Sequence, residues 1–252
     1  MSDFDRNVAA RGGFADRTAA VDAGLRAYML RVYNYMAAAV ALTGVVAYAT
    51  FNAAVVTDAS GRITALTPFG QTIFSGPTMI VLLLGTLGLV FFISFRINRL
   101  QFTTAAALFA IYAALLGVTL APIFVTYTGA SITRVFFISA ASFGALSLYG
   151  YTTQRDLSAM GSFLIMGLFG IIIASLVNIF LKSSGLDWII SVIGGLVFAG
   201  LTAYDTQKIK EMYSAYDDGT VAGRKAVMGA LSLYLDFINL FLMLLRLVGD
   251  RR

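Results

Sequence analysis

The chain reads as seven long apolar blocks separated by short polar connectors. The blocks run near residues 30–51, 78–95, 103–126, 135–153, 160–181, 188–209 and 226–248. Each is about twenty residues long, the length at which a helix crosses a hydrocarbon core. Most connectors are too short for anything but an antiparallel neighbour, so the pattern predicts an all-α membrane protein, one seven-helix bundle. The longest connector, 52–76, carries Gly61, Pro68, Gly70 and Gly76 as breakers. Residues 1–24 are polar and mixed in charge and lack the apolar core of a signal peptide, so they read as a flexible cytoplasmic tail ahead of a single transmembrane domain over 25–252.

Two polar interruptions stand out inside the blocks. Asp205 lies near the end of the sixth and Asp236 in the middle of the seventh. An ionised acid at bilayer depth costs about 2.5–3.5 kcal/mol on insertion scales, so it has to face the bundle interior or an aqueous cavity. On the seventh block Ser232, Asp236, Asn239 and Arg246 recur at helical spacing and form one polar stripe. On the sixth, Thr202 shares a face with Asp205 and Lys208 follows one turn later. Each stripe is the natural partner of the other.

Composition narrows the chemistry. The chain is 59% hydrophobic and 12% charged, well under the quarter expected of a soluble domain. Its net charge of +5 sits beside membrane segments, where lipid and topology account for it without nucleic acid. There is no histidine and no cysteine, which removes Ser–His catalysis, most zinc sites and disulfides. With the N-terminus in the cytoplasm, the inner connectors hold 12 Lys and Arg and the outer ones 3. Arg246, Arg251 and Arg252 then fall outside if the last block spans fully and inside if it is re-entrant; the charge rule leans to the inside.

Two carboxyls a few ångströms apart do not both ionise easily and titrate as a unit. Asp205 and Asp236 therefore suit a switch between a shared-proton form and an ionised form that repels or captures a cation. Arg96 or Arg99, closing the second block, is the candidate counter-charge. The plainer readings are structural: each aspartate as a hydrogen-bond anchor, Arg96 and Arg99 as membrane-end anchors, Lys208 and Lys210 as topology markers. Asn178 and Pro122 then mark packing or a kink, and the many Phe and Tyr residues are by default lipid-facing or interfacial.

Several stretches together resemble the transmembrane Bax inhibitor motif family, in its bacterial inner-membrane branch. They are LRVYNYMAAAVALTGVVAY, GVTLAPIF, SLYGYTTQRDL with Tyr149, Thr153 and Asp156, AYDTQKIK, and LSLYLDFINLFLMLLR. The resemblance implies that the last helix is central and wrapped by the other six. It also implies a pH-sensitive calcium leak gated by an aspartate pair, which falls on Asp205 and Asp236. Its gating arginine falls on Arg99 or Arg96.

Three functions compete. In a cation leak the pair is the sensor and a weak calcium site, with Ser232, Asn239 and Thr202 in support and no cofactor; few other acids line the spans, so a tight calcium cage is not expected. A non-transporting regulator would bind another membrane protein, such as a membrane protease. An intramembrane aspartyl protease also uses two aspartates on adjacent helices, but here the second lies in LYLD rather than Gly-x-Gly-Asp and no proline follows Pro122; the chain is therefore expected not to be an enzyme.

Overall fold

A computed structural model describes the backbone of residues 3–58 and 62–252 and the side chains of 21–58 and 62–252. The flexible tail expected over residues 1–24 has its first twenty side chains outside the described residues, as has the break at Gly61. Helix α1 covers Asp3–Ala54. A short hairpin follows, β1 (Val55–Thr57) antiparallel to β2 (Ile63–Leu66), with Val55 opposite Leu66. Next come α2 (Pro68–Ile73) and α3 (Gly76–Arg96), the latter extended by a 3-10 turn at Ile97–Arg99. The remaining helices are α4 (Phe102–Leu120), α5 (Ile123–Thr126), α6 (Gly129–Thr152), α7 (Ser158–Leu181), α8 (Ser184–Glu211) and α9 (Gly219–Val248). Among the described residues seven segments are long and apolar enough to cross a membrane, and they match the seven blocks. The chain is an integral all-α membrane protein.

The 52–76 connector is more ordered than its breakers suggest. Thr67 caps α2 by accepting the Gly70 amide at 3.0 Å, and its own amide donates to the Ala54 carbonyl at 3.0 Å. Gly70 lies so close to that carbonyl that a Cβ there would collide with it. The breakers thus fold the hairpin and α2 back onto the end of α1. Pro122 acts as expected: α4 stops at Leu120 and the chain restarts as α5, because proline has no amide to continue the ladder.

Helix α9 is the axis of the bundle. In its most apolar stretch 61% of residues are buried, against 6% in α7. It packs on α8, α1, α6 and α4. The wrapping is incomplete, however: α3 leans on α4 and α7 on α8, and neither packs on α9 to a comparable extent. Tyr234 joins the centre to two neighbours. Its hydroxyl pairs with Thr43 of α1 at 2.6 Å, and the Thr43 hydroxyl reaches the Ala113 carbonyl of α4 at 2.8 Å. Phe109 and Tyr112 meet the Tyr234 ring edge-on at 5.5 and 5.9 Å. The expectation that aromatic residues face lipid fails here, because these rings fill the space around the axis.

The two ends of the bundle are tied separately. At one end Tyr28 of α1 meets Tyr213 in the α8–α9 loop at 5.6 Å, and Arg224 of α9 donates to the Asn98 carbonyl at 2.6 Å. At the other, Arg134 pairs with Asp250 at 3.0 Å, the Arg252 amide donates to the Thr126 carbonyl, and Arg246 lies 3.9 Å from Asp187. Helix α9 therefore runs the whole way through, and the C-terminus lies at the end opposite the α8–α9 loop. This overturns the re-entrant alternative, and with it a C-terminus on the same side as the α8–α9 loop; thirty helical residues reach about 45 Å, more than a hydrocarbon core needs.

Candidate functional site: an acid pair in a side cavity

The AYDTQKIK stretch of α8 is a run of ties facing different neighbours. Gly150 of α6 sits directly on the Ala203 backbone, and Gly161 of α7 on the Tyr204 ring, each too close for a Cβ. Thr206 pairs with Ser147 at 2.9 Å, and Ser147 with Tyr33 at 2.6 Å, which links α8, α6 and α1. Gln207 accepts the Leu157 amide at 2.9 Å and donates to the Arg155 carbonyl at 2.8 Å, holding the α6–α7 loop. In that loop Asp156 accepts the Ser158 amide at 2.8 Å; these hydrogen bonds from Ser158 hold its carboxyl below its ordinary pKa. Lys210 donates to the Tyr151 carbonyl at 2.8 Å and lies over the Tyr151 ring.

With those side chains committed to α6 and its loop, Asp205 is left facing α9. Ile209 packs against Gly229, which sets the antiparallel register and brings Asp205 level with Asp236 to within a turn. The two carboxyls lie within hydrogen-bonding reach of each other. Asp236 is only 5% exposed, and its Oδ2 has no hydrogen-bond partner. Both acids line a cavity of about 610 Å³ bounded by α3, α7, α8 and α9.

Of the residues named from the sequence, Asp205, Asp236, Ser232 and Asn239 share this cavity. The Asn239 amide donates to the Leu235 carbonyl at 2.8 Å. Thr202 does not join them: it is fully buried and its hydroxyl returns to the Phe198 carbonyl at 2.8 Å. Arg96 and Arg99 do not line the cavity; both are exposed and make no ion pair among the described residues. The cation beside the pair is Lys208, which lines the cavity, interacts with Asp205 and lies 5.8 Å from the Tyr204 ring centre. Lys208 and Lys210 thus have specific contacts beyond marking a membrane face. Among the described residues no third acid joins the pair to form a metal-binding cluster.

Sequence reasoning missed Thr206, Gln207 and Tyr234. Each is an ordinary residue for a helix surface, and its partner lies fifty or more residues away. The available signal was the density of polar residues around Asp205, which exceeds what one buried acid needs.

Comparison with known proteins agrees with the fold. The family described as "Inhibitor of apoptosis-promoting Bax1" matches residues 25–252. An uncharacterized protein of Rickettsia prowazekii is 51% identical over 231 residues, covering 92% of each chain. An Escherichia coli protein named inner membrane protein YbhL is 47% identical over 232 residues, covering 91% of this chain and 94% of its own. A further uncharacterized protein, from Caulobacter vibrioides, is 42% identical over the full length of both chains. A match this long, with relatives this similar, makes the chain a member of the Bax inhibitor family.

Proposed function

We propose that the protein is a pH-sensitive cation leak, with calcium as the cargo and the Asp205–Asp236 pair as its sensor. The observation that carries this reading is the buried Asp236 carboxyl with one oxygen unpartnered, beside a second carboxyl on the neighbouring helix. Two adjacent acids hold a proton between them at low pH and repel, or take up a cation, when both ionise. Two carboxyls without a third ligand bind a hard divalent ion weakly, and conduction requires an ion that leaves again. Lys208 is the compensating charge on the same cavity. In this reading Arg96 and Arg99 act only if α3 moves toward α8. The chain sits in a bacterial inner membrane with its N-terminus in the cytoplasm, which places the acid pair in the cytoplasmic half.

The test is calcium entry into proteoliposomes between pH 5.5 and 8.5. Wild-type flux is expected to change with pH, and Asp205→Asn or Asp236→Asn is expected to flatten that profile. Flux equal to that of empty vesicles at every pH, or variants that track the wild type, would remove the leak reading and leave a regulator of another membrane protein.

A further inference from the structure

The walls around the acid pair are unlike those of an ion path. Leu87 of α3 and Ile165, Ile172 and Leu176 of α7 line the cavity, and all four are also exposed on the membrane-facing side. Helices α3 and α7 each pack on a different neighbour and not substantially on one another. The cavity therefore opens sideways between them, at bilayer depth, onto hydrocarbon. Its charged groups and most of its polar ones are gathered at the α8–α9 end, namely Asp205, Asp236, Ser232, Asn239, Lys208 and Tyr204; α7 adds only the Ser175 hydroxyl. One end of the space is anionic and rich in acceptors, and the other is apolar and open to lipid.

We propose that this cavity binds an amphipathic monocation of the alkylammonium class, its head on the aspartate pair and its tail between α3 and α7, entering from the bilayer. An ammonium carries three donors and no acceptor. It fits the unpartnered Asp236 Oδ2, the Asp205 carboxyl and the side-chain oxygens of Ser232 and Asn239. A tightly held divalent ion would need six or more oxygen ligands, which apolar walls do not supply. The charge balance also selects a single positive charge. The charged groups on the cavity are Asp205, Asp236 and Lys208, and α3 and α7 contribute none. With both acids ionised the site carries one net negative charge, which a single ammonium cancels; an alkylamine, with a pKa of about 10.4, is charged at neutral pH.

The proposal uses the same acids as the leak reading but does not require conduction. Dodecylamine binding to the full chain in phosphatidylcholine nanodiscs tests it, with empty discs subtracted and dodecanol as the uncharged probe. The expected result is one saturable dodecylamine site per chain at pH 8, with dodecanol at least tenfold weaker. Asp236→Asn is expected to weaken dodecylamine at least tenfold. Leu176→Trp fills the lipid-side mouth, leaves both acids in place and is expected to abolish binding; it decides the matter if Asp236→Asn does not fold. Equal binding of amine and alcohol, or unchanged amine binding in either folded variant, would overturn the proposal. Because binding is read without flux, a chain that leaks but ignores the amine refutes only this inference. A chain that binds the amine and does not leak refutes only the other.

Discussion

At the scale of single residues, the contacts that fix the site come from the smallest side chains. Gly150 lets α6 rest on the backbone of Ala203, two residues before Asp205. A methyl group there would run into the Ala203 carbonyl oxygen and push α6 off α8. Gly150→Ala is expected to lower stability by about 1–3 kcal/mol, the usual penalty of overpacking, and thermal unfolding in detergent measures it. Gly144→Ala on the same helix has open space at its Cβ and is expected to change little, so the pair separates close packing from glycine content. Asp156 gives a second residue-scale expectation. Its carboxylate is stabilised by Ser158 at the start of α7, so its folded pKa lies below the unfolded value of about 3.9. The benefit is complete above that value and is lost as pH falls through the depressed one. A carboxyl carbon-13 titration that finds the Asp156 midpoint at or above the ordinary value would contradict the contact.

At the scale of elements, hydrophobic periodicity made each helix legible, but not how deep each one sits. Seven blocks gave seven spans because about twenty apolar residues is a length requirement that every spanning helix must meet. The periodicity also found Ser232, Asp236 and Asn239, because polar residues on an apolar helix are costly enough to be conspicuous. It could not assign Thr202, whose hydroxyl is satisfied by its own helix, because an isolated threonine reads the same whether it faces a cavity or a backbone carbonyl. Nor could it rank Lys208 above Arg96 and Arg99, since that depends on α3 standing apart from α8. Tyr234 shows the same limit: it reads as one more apolar-face aromatic, yet it joins α9 to α1 and α4. Tyr234→Phe keeps the ring contacts and removes the hydroxyl. The Thr43 hydroxyl keeps the Ala113 carbonyl as partner, so the loss is expected to be about 0.6 kcal/mol, the average for a hydrogen bond between membrane helices. Tyr234→Ala empties the centre and is expected to destabilise by about 3–5 kcal/mol, by analogy with large aromatic truncations. Denaturant titration in mixed micelles distinguishes the two, and equal losses would mean that the hydroxyl rather than the ring holds the axis.

At the scale of the whole molecule, the strongest expectation concerns which connectors share a face. The contacts of Arg134, Asp250, Arg252 and Asp187 place the C-terminus beside the α5–α6 and α7–α8 junctions. Those of Tyr213 and Arg224 place the α8–α9 loop beside the start of the first span and the α3–α4 turn. The absence of cysteine makes this directly testable, because a single introduced thiol reports without background. Ser183→Cys and an added C-terminal cysteine are expected to react with an impermeant maleimide from one side of the membrane, and Ser214→Cys from the other. If the N-terminus is cytoplasmic, as the excess of Lys and Arg favours, Ser214→Cys is the cytoplasmic one. The relative result depends only on α9 crossing completely, and the absolute result only on the charge bias, so the two can fail separately. Labelling of Ser214→Cys and the C-terminal thiol from the same side would make α9 re-entrant and remove the packing that holds Asp236 against Asp205. Labelling from opposite sides with Ser214→Cys outside would leave that packing intact. It would turn the acid pair toward the outer half of the membrane, and the proposed leak would then have to answer to pH on the outer rather than the cytoplasmic side.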